Sequence, residues 1–143
     1  MLALKVADPR RLKSAIEKEG AVMEVIAPKI GGVEAADGSL IPANHMIDGG
    51  PSVSFDAVAL VLSVEGAERL VGDAAARDFV ADAFTHCKFV GFTAGAAPLM
   101  QMAGVEVDAD EGVIALDKAK SIADFVESCR KLRLWRREMA VKL

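Results

Sequence analysis

The sequence predicts a doubly wound α/β/α sandwich with a mainly parallel sheet and a small β-hairpin excursion. Three observations carry that expectation. The first part of the chain reads strand, helix, strand (residues 2–7, 8–20 and 22–27), and a helical crossover of that length joins parallel strands. Residues 56–62, Asp56 followed by an unbroken apolar run, have the two-faced apolar character of a buried parallel strand. Residues 88–104, KFVGFTAGAAPLMQMAG, pass from a β-prone run through a tight turn into a short Ala-rich helix. That junction is how α/β folds present one side chain at the carboxyl end of the sheet.

The elements follow in order. Asp8 is placed as the N-cap of the first helix, with Pro9 at its first position and Gly20 closing it. Leu12, Ala15 and Ile16 form its apolar face, opposite Arg10, Arg11, Lys13, Glu17 and Lys18. Pro28 stops the second strand. Residues 31–50 are turn-rich, and Asp37-Gly38 between residues 33–36 and 40–41 is a hairpin signal. Residues 51–55 connect to the buried strand. A short helix is expected over 65–70. A longer one follows over 73–86, capped by Asp73, with Phe79, Val80, Ala83 and Phe84 inward. After the strand–turn–helix comes a last strand at 113–116. The last helix is expected over 118–134, capped by Asp117, with Ile122, Phe125, Val126 and Cys129 inward. The alternation indicates a flavodoxin-like layout in one domain over residues 1–143.

Composition narrows the function classes. The chain has 143 residues, 52% hydrophobic and 27% charged, which supports a sizeable core and argues against disorder. Aromatics are 5%, with no tyrosine, so the core falls to Val, Ala, Leu, Ile and Met. The net charge of −4 argues against nucleic-acid binding. No apolar run approaches the length of a membrane span. The amino terminus has no cationic stretch leading into an apolar one, so no secretory signal is expected. Two cysteines, Cys87 and Cys129, fit a reducing cytoplasm better than a disulfide scaffold.

The candidate site residues divide into three groups. Thr93 sits at the tip of the strand–helix elbow, where a working enzyme of this layout holds its nucleophile. A hydroxyl there needs a base, and no histidine or carboxylate lies near it in sequence. The alternative is a turn residue bonded to backbone. His86 and Cys87 are adjacent, but neighbours on a helix point apart. They also lie at the amino end of the following strand, whereas ligands in open α/β sheets bind at the carboxyl ends. His45 and His86 are the only histidines and there is no CxxC, so no metal site is expected. The glycines at 31, 32, 49 and 50 match no phosphate-loop pattern. Residues 129–143 carry six basic side chains against Glu138 alone. Arg130, Arg133, Arg136 and Arg137, with Trp135 as an apolar anchor, are candidates for pairing with an acidic surface of this chain or of a neighbour. The alternative is a solvated helix end complementing its own dipole.

Three stretches bear a family resemblance. These are IAPKIGGVEAADGSLIPANHMIDGGPSVSFDAVALVLS (26–63), RDFVADAFTHCKFVGFTAGAAPLM (77–100) and FVESCRKLRLWRRE (125–138). Together they resemble the C-terminal domain of large-subunit haem catalases, a branch of the ThiJ/PfpI, glutamine-amidotransferase-like superfamily with a flavodoxin-like fold. The superfamily's enzymes carry a cysteine at the elbow and usually a glutamate after the first strand. Here those places hold Thr93 and the run Ala7-Asp8-Pro9. The resemblance therefore implies a non-catalytic accessory domain serving assembly, stability or chaperone-like protection. It implies no cofactor in this chain, the haem and the peroxide chemistry belonging to a separate catalase core. The implied partners are that core, neighbouring subunits in a homo-oligomer and unfolded client proteins. A small ThiJ/PfpI-type hydrolase or glyoxalase using Cys87 or Thr93 is the rival reading.

Overall fold

A computed structural model describes residues 3–4, 9–29, 31–35 and 37–141. The first strand expected at 2–7 lies outside these residues except for Ala3–Leu4, and the Asp8 cap lies outside them altogether. Strand β1 (Ala3–Leu4) is followed by helix α1 (Pro9–Lys18), β2 (Ile26–Ala27), β3 (Val33–Ala35), β4 (Leu40–Ile41) and β5 (His45–Met46). Then come β6 (Val58–Leu60), α2 (Val64–Leu70), α3 (Ala74–Thr85), β7 (Val90–Phe92) and α4 (Ala97–Met102). Strand β8 (Val113–Ala115) and helix α5 (Ala119–Cys129) complete the set. The class is mixed α/β with mostly parallel pairing.

Strands β6, β7 and β8 form a parallel sheet with β7 in the middle. Alternating side chains feed two apolar clusters. Val58, Leu60, Val90 and Phe92 pack with Ala67 and Leu70 of α2, Ala76, Val80 and Ala83 of α3, and Leu99 and Met100 of α4. On the other face Ala57, Ala59, Phe89, Ile114 and Leu116 meet Leu12 of α1 and Ile122, Phe125 and Val126 of α5. Both faces of β7 are buried, which is why this strand reads apolar throughout. A Cβ on Gly91 would stand 2.8 Å from Leu116 and 3.1 Å from Phe125, so helix α5 packs against bare backbone there.

Local chemistry sets several boundaries as expected. Asp73 accepts from the amides of Ala75 and Ala76 at 2.9 and 3.4 Å, capping α3. Helix α2 starts at Val64, one residue before the expected 65, because Ser63 caps it through the Gly66 amide at 3.0 Å. Gly20 closes the turn after α1 at φ +77°, the left-handed region that glycine occupies without strain. The β3–β4 hairpin turns through Asp37-Gly38, where Asp37 accepts from both the amide and the hydroxyl of Ser39.

Four expectations are corrected. Among the described residues the opening strands are not paired with each other: β1 lies parallel to β3, and β2 lies parallel to β5. Residues 22–25 are not strand, and Val22 is 84% exposed; Val25 meets the start of β5, but its N–H donates to the Asn44 side chain at 2.7 Å and its carbonyl accepts from the Asn44 amide at 2.8 Å, so regular ladder pairing begins only at Ile26. The last helix stops at Cys129 rather than at 134. Leu132 turns left-handed at φ +62°, and its N–H closes on the Cys129 carbonyl at 3.0 Å. At the other end the N-cap position is Lys118, not Asp117, whose carboxylate instead accepts from Ser121 at 3.4 Å.

Candidate functional site

Strand β7 and helix α4 meet at Thr93, which is 1% exposed. The Thr93 N–H extends the sheet by donating to the Leu60 carbonyl at 2.9 Å. Its hydroxyl donates to the Leu62 carbonyl at 2.8 Å, with the Leu60 carbonyl at 3.3 Å, and accepts from the Leu62 N–H at 3.0 Å. With its proton directed at backbone carbonyls, which are not bases, and one lone pair held by the Leu62 amide, the hydroxyl lacks the activation a nucleophile needs. The elbow is also tight. A Cβ on Gly95 would stand 2.5 Å from the Leu62 carbonyl and 2.8 Å from Ser63, so no space separates the elbow from the start of α2. No histidine, carboxylate, lysine or cysteine is bonded to Thr93 among the described residues. The backbone-bonded alternative is the one the geometry matches.

His86 and Cys87 sit at the opposite, amino end of β7. His86 is the C-cap of α3 and exposed. Cys87 adopts φ +61°, is 4% exposed, and its thiol faces the Thr85 carbonyl at 3.9 Å. The two share no bond with each other, and β7 separates both from Thr93. His45 bonds Glu24 at 2.7 Å and stacks edge-on against Phe55. Among the described residues no group of three or more His, Cys, Asp or Glu is placed to hold a metal ion.

The basic carboxyl-terminal segment does not form one surface. Arg137 was expected on a surface and lies buried at 3% exposure. Its guanidinium forks onto Asp110, Nε to Oδ2 at 2.6 Å and Nη2 to Oδ1 at 2.8 Å. Nη1 donates to the carbonyls of Lys88 at 2.7 Å and Phe84 at 3.2 Å, and the group lies 4.3 Å over the Phe84 ring. The physical reason is the acidic loop before β8, with Asp108, Asp110 and Glu111, which draws the segment inward. Burial pushes the Asp110 carboxyl up, but the Arg137 fork, the Gly112 amide and the charges of Arg137 and Arg136 outweigh it and hold the pKa below the usual carboxylate value. Arg136 pairs with Glu111, Arg130 with Glu19 at 2.9 Å, and Arg133 donates to the Asp56 carbonyl at 3.1 Å. Trp135 remains 67% exposed.

One buried charge escapes sequence reasoning. Lys88 is 1% exposed and donates to the Ser52 carbonyl at 2.5 Å. Burial lowers its pKa, and the positive charge of Arg133 lowers it further, while Asp56 and Asp82 oppose the shift. The Ser52 hydroxyl beside this bond is buried without a partner among the described residues. The only sequence signal was a lysine opening an otherwise apolar strand.

These features define a parallel α/β domain whose elbow is sealed by its own backbone. The chain belongs to the family of C-terminal domains found in long catalases, which it matches over residues 3–139. It is 52% identical over 132 residues to Catalase C of Rhizobium meliloti (strain 1021), covering 92% of this chain and 19% of that protein. It is 26% identical to Catalase HPII of Pseudomonas putida over 92% of this chain and 18% of that protein. With Catalase-B of Dictyostelium discoideum the identity is 27%, over 94% of this chain and 19% of that protein. The chain thus spans about a fifth of the length of the curated relatives it matches.

Proposed function

We propose that this chain works as a non-catalytic accessory domain of a long catalase subunit. It acts by contact, in assembly, stability or holdase-like protection. The observation that carries the reading is the Thr93 hydroxyl, committed to the Leu60 and Leu62 backbone where superfamily enzymes hold a cysteine. The buried Cys87 at the other end of β7 offers no substitute. In this reading the haem and the decomposition of hydrogen peroxide belong to the catalase core. The partners are that core and neighbouring subunits in a cytoplasmic homo-oligomer, with unfolded proteins as clients of the holdase role. The whole chain is read as a single flavodoxin-like domain. Helices on both faces of the β6–β7–β8 sheet support that finer description. The test is turnover. Purified chain and its Thr93→Ala variant are assayed with peroxide, methylglyoxal and peptide substrates. No turnover above buffer in either protein is expected. Turnover that disappears in Thr93→Ala would refute the reading.

A further inference from the structure

At the 3-10 turn Ser52–Ser54, which packs against α3, a cation and a hydroxyl are buried with more hydrogen-bonding capacity than the chain fills. Lys88 is 1% exposed and Ser52 is fully buried. An ammonium group carries three N–H donors. Among the described residues its one acceptor is the Ser52 carbonyl. That carbonyl also accepts from the Phe55 N–H at 3.0 Å, so both its lone pairs are taken and none is left for a second Lys88 proton. The Ser52 hydroxyl, on the residue that Lys88 reaches, bonds to no protein group among the described residues. Buried polar groups are nearly always paired, with protein or with internal water. Charge does not fill the gap. The charged side chains whose fields reach Lys88 are Arg133, Asp56 and Asp82. Two carboxylates against one guanidinium balance a protonated lysine, and among the described residues neither carboxylate forms an ion pair with it. The cluster is short of an acceptor, not of a negative charge.

We propose that Lys88 and Ser52 hold one internal water molecule, which accepts from an N–H of Lys88 and from the O–H of Ser52. Water fits because it is neutral, takes two donors at once and has two protons of its own to give to nearby oxygens. An anion would leave the cluster with excess negative charge in a dry interior, a far costlier arrangement. The bridge adds a second tie between the segment that leads into β6 and the start of β7. Ser52 lies on the first and Lys88 on the second, 36 positions apart in the chain. The Lys88 carbonyl also accepts from Arg137 Nη1, so one residue joins this segment to the carboxyl-terminal one.

Ser52→Ala is the deciding variant, because a bridged and an unpartnered hydroxyl give opposite signs. Removing an unpartnered buried hydroxyl relieves a desolvated group, and the folded-to-unfolded ratio measured in urea rises. Removing a bridged one strips the water and Lys88 of a partner, and the ratio is expected to fall by about threefold or more. In a Lys88→Met background the same substitution should no longer lower it, since the two side chains act through one molecule. If Lys88→Met does not fold, water oxygen-17 relaxation dispersion decides. That measurement counts long-resident internal waters, and the count should drop by one from the unaltered chain to Ser52→Ala. An unchanged count would overturn the proposal, as would a ratio that rises or stays level in Ser52→Ala. So would a stability that follows chloride concentration at constant ionic strength, since the occupant would then be an anion.

Discussion

Replacing Arg137 with Met probes the contact on which the carboxyl-terminal segment depends. The methionine keeps the apolar stem over Phe84 and removes the guanidinium. That leaves Asp110, whose side chain is 21% exposed, without its fork, and strips the Lys88 and Phe84 carbonyls of a donor. Breaking a buried ion pair from one side costs about 3–5 kcal/mol. Retained packing places this case near the lower end, about 3 kcal/mol, a large share of the roughly 5–15 kcal/mol that hold a domain together. At this chain length that corresponds to a melting temperature lower by roughly 10 °C. Urea unfolding at neutral pH measures it. A second arm is the acid limb. The native pKa of Asp110 is depressed, so its pair contributes stability that is complete above the unfolded value of about 4 and is lost as pH falls through the native value. Arg137→Met should flatten that part of the pH profile, and Asp110→Asn should add little once Arg137 is gone. A loss under about 1 kcal/mol, or an unchanged acid limb, would refute the reasoning.

Other outcomes follow from the same geometry. Thr93→Val leaves the buried Leu62 amide without its acceptor and should cost about 1–3 kcal/mol in denaturant unfolding, with no change in secondary structure. Gly95→Ala drives a Cβ against the Leu62 carbonyl and should cost at least about 2 kcal/mol, whereas Gly49→Ala, with open space around it, should be near neutral. Iodoacetamide at neutral pH should label neither cysteine in the native chain. Cys87 is buried, and burial pushes the Cys129 thiol up to about 11; both should label in urea. Lys88→Met should remove a rise in stability between the depressed native pKa of Lys88 and about 10.4, since in that window the unfolded chain binds more protons.

The parts legible in the sequence are those fixed by neighbours in the chain. The Asp73 cap, the Asp37-Gly38 turn and the run into Thr93 each depend on residues a few positions apart, and each forms as read. The elbow was legible because a strand buried on both faces and a small-residue turn leave a signature in composition alone. What was not legible depended on distant partners. Residues 22–25 are β-prone, but strand formation needs a neighbour for the backbone, and propensity cannot name one. The last helix ends at Cys129, and the chain reverses three residues on, where Leu132 turns left-handed at an ordinary residue rather than a glycine. Arg137 read as one more exposed base because its partner, Asp110, is 27 positions away. The acidic run around Asp110 opposite a basic tail was the available clue. Lys88 gave almost none: its acceptor is a main-chain carbonyl at Ser52.

The sealed elbow is tested most directly by intact-mass spectrometry of the native chain after exposure to a hydroxyl-reactive fluorophosphonate and a β-lactone. The backbone bonds of Thr93 predict an unmodified mass, with the chain unaltered in its folded signal. A single stoichiometric adduct mapped to Thr93 would mean that the hydroxyl is free and activated, and would contradict the account.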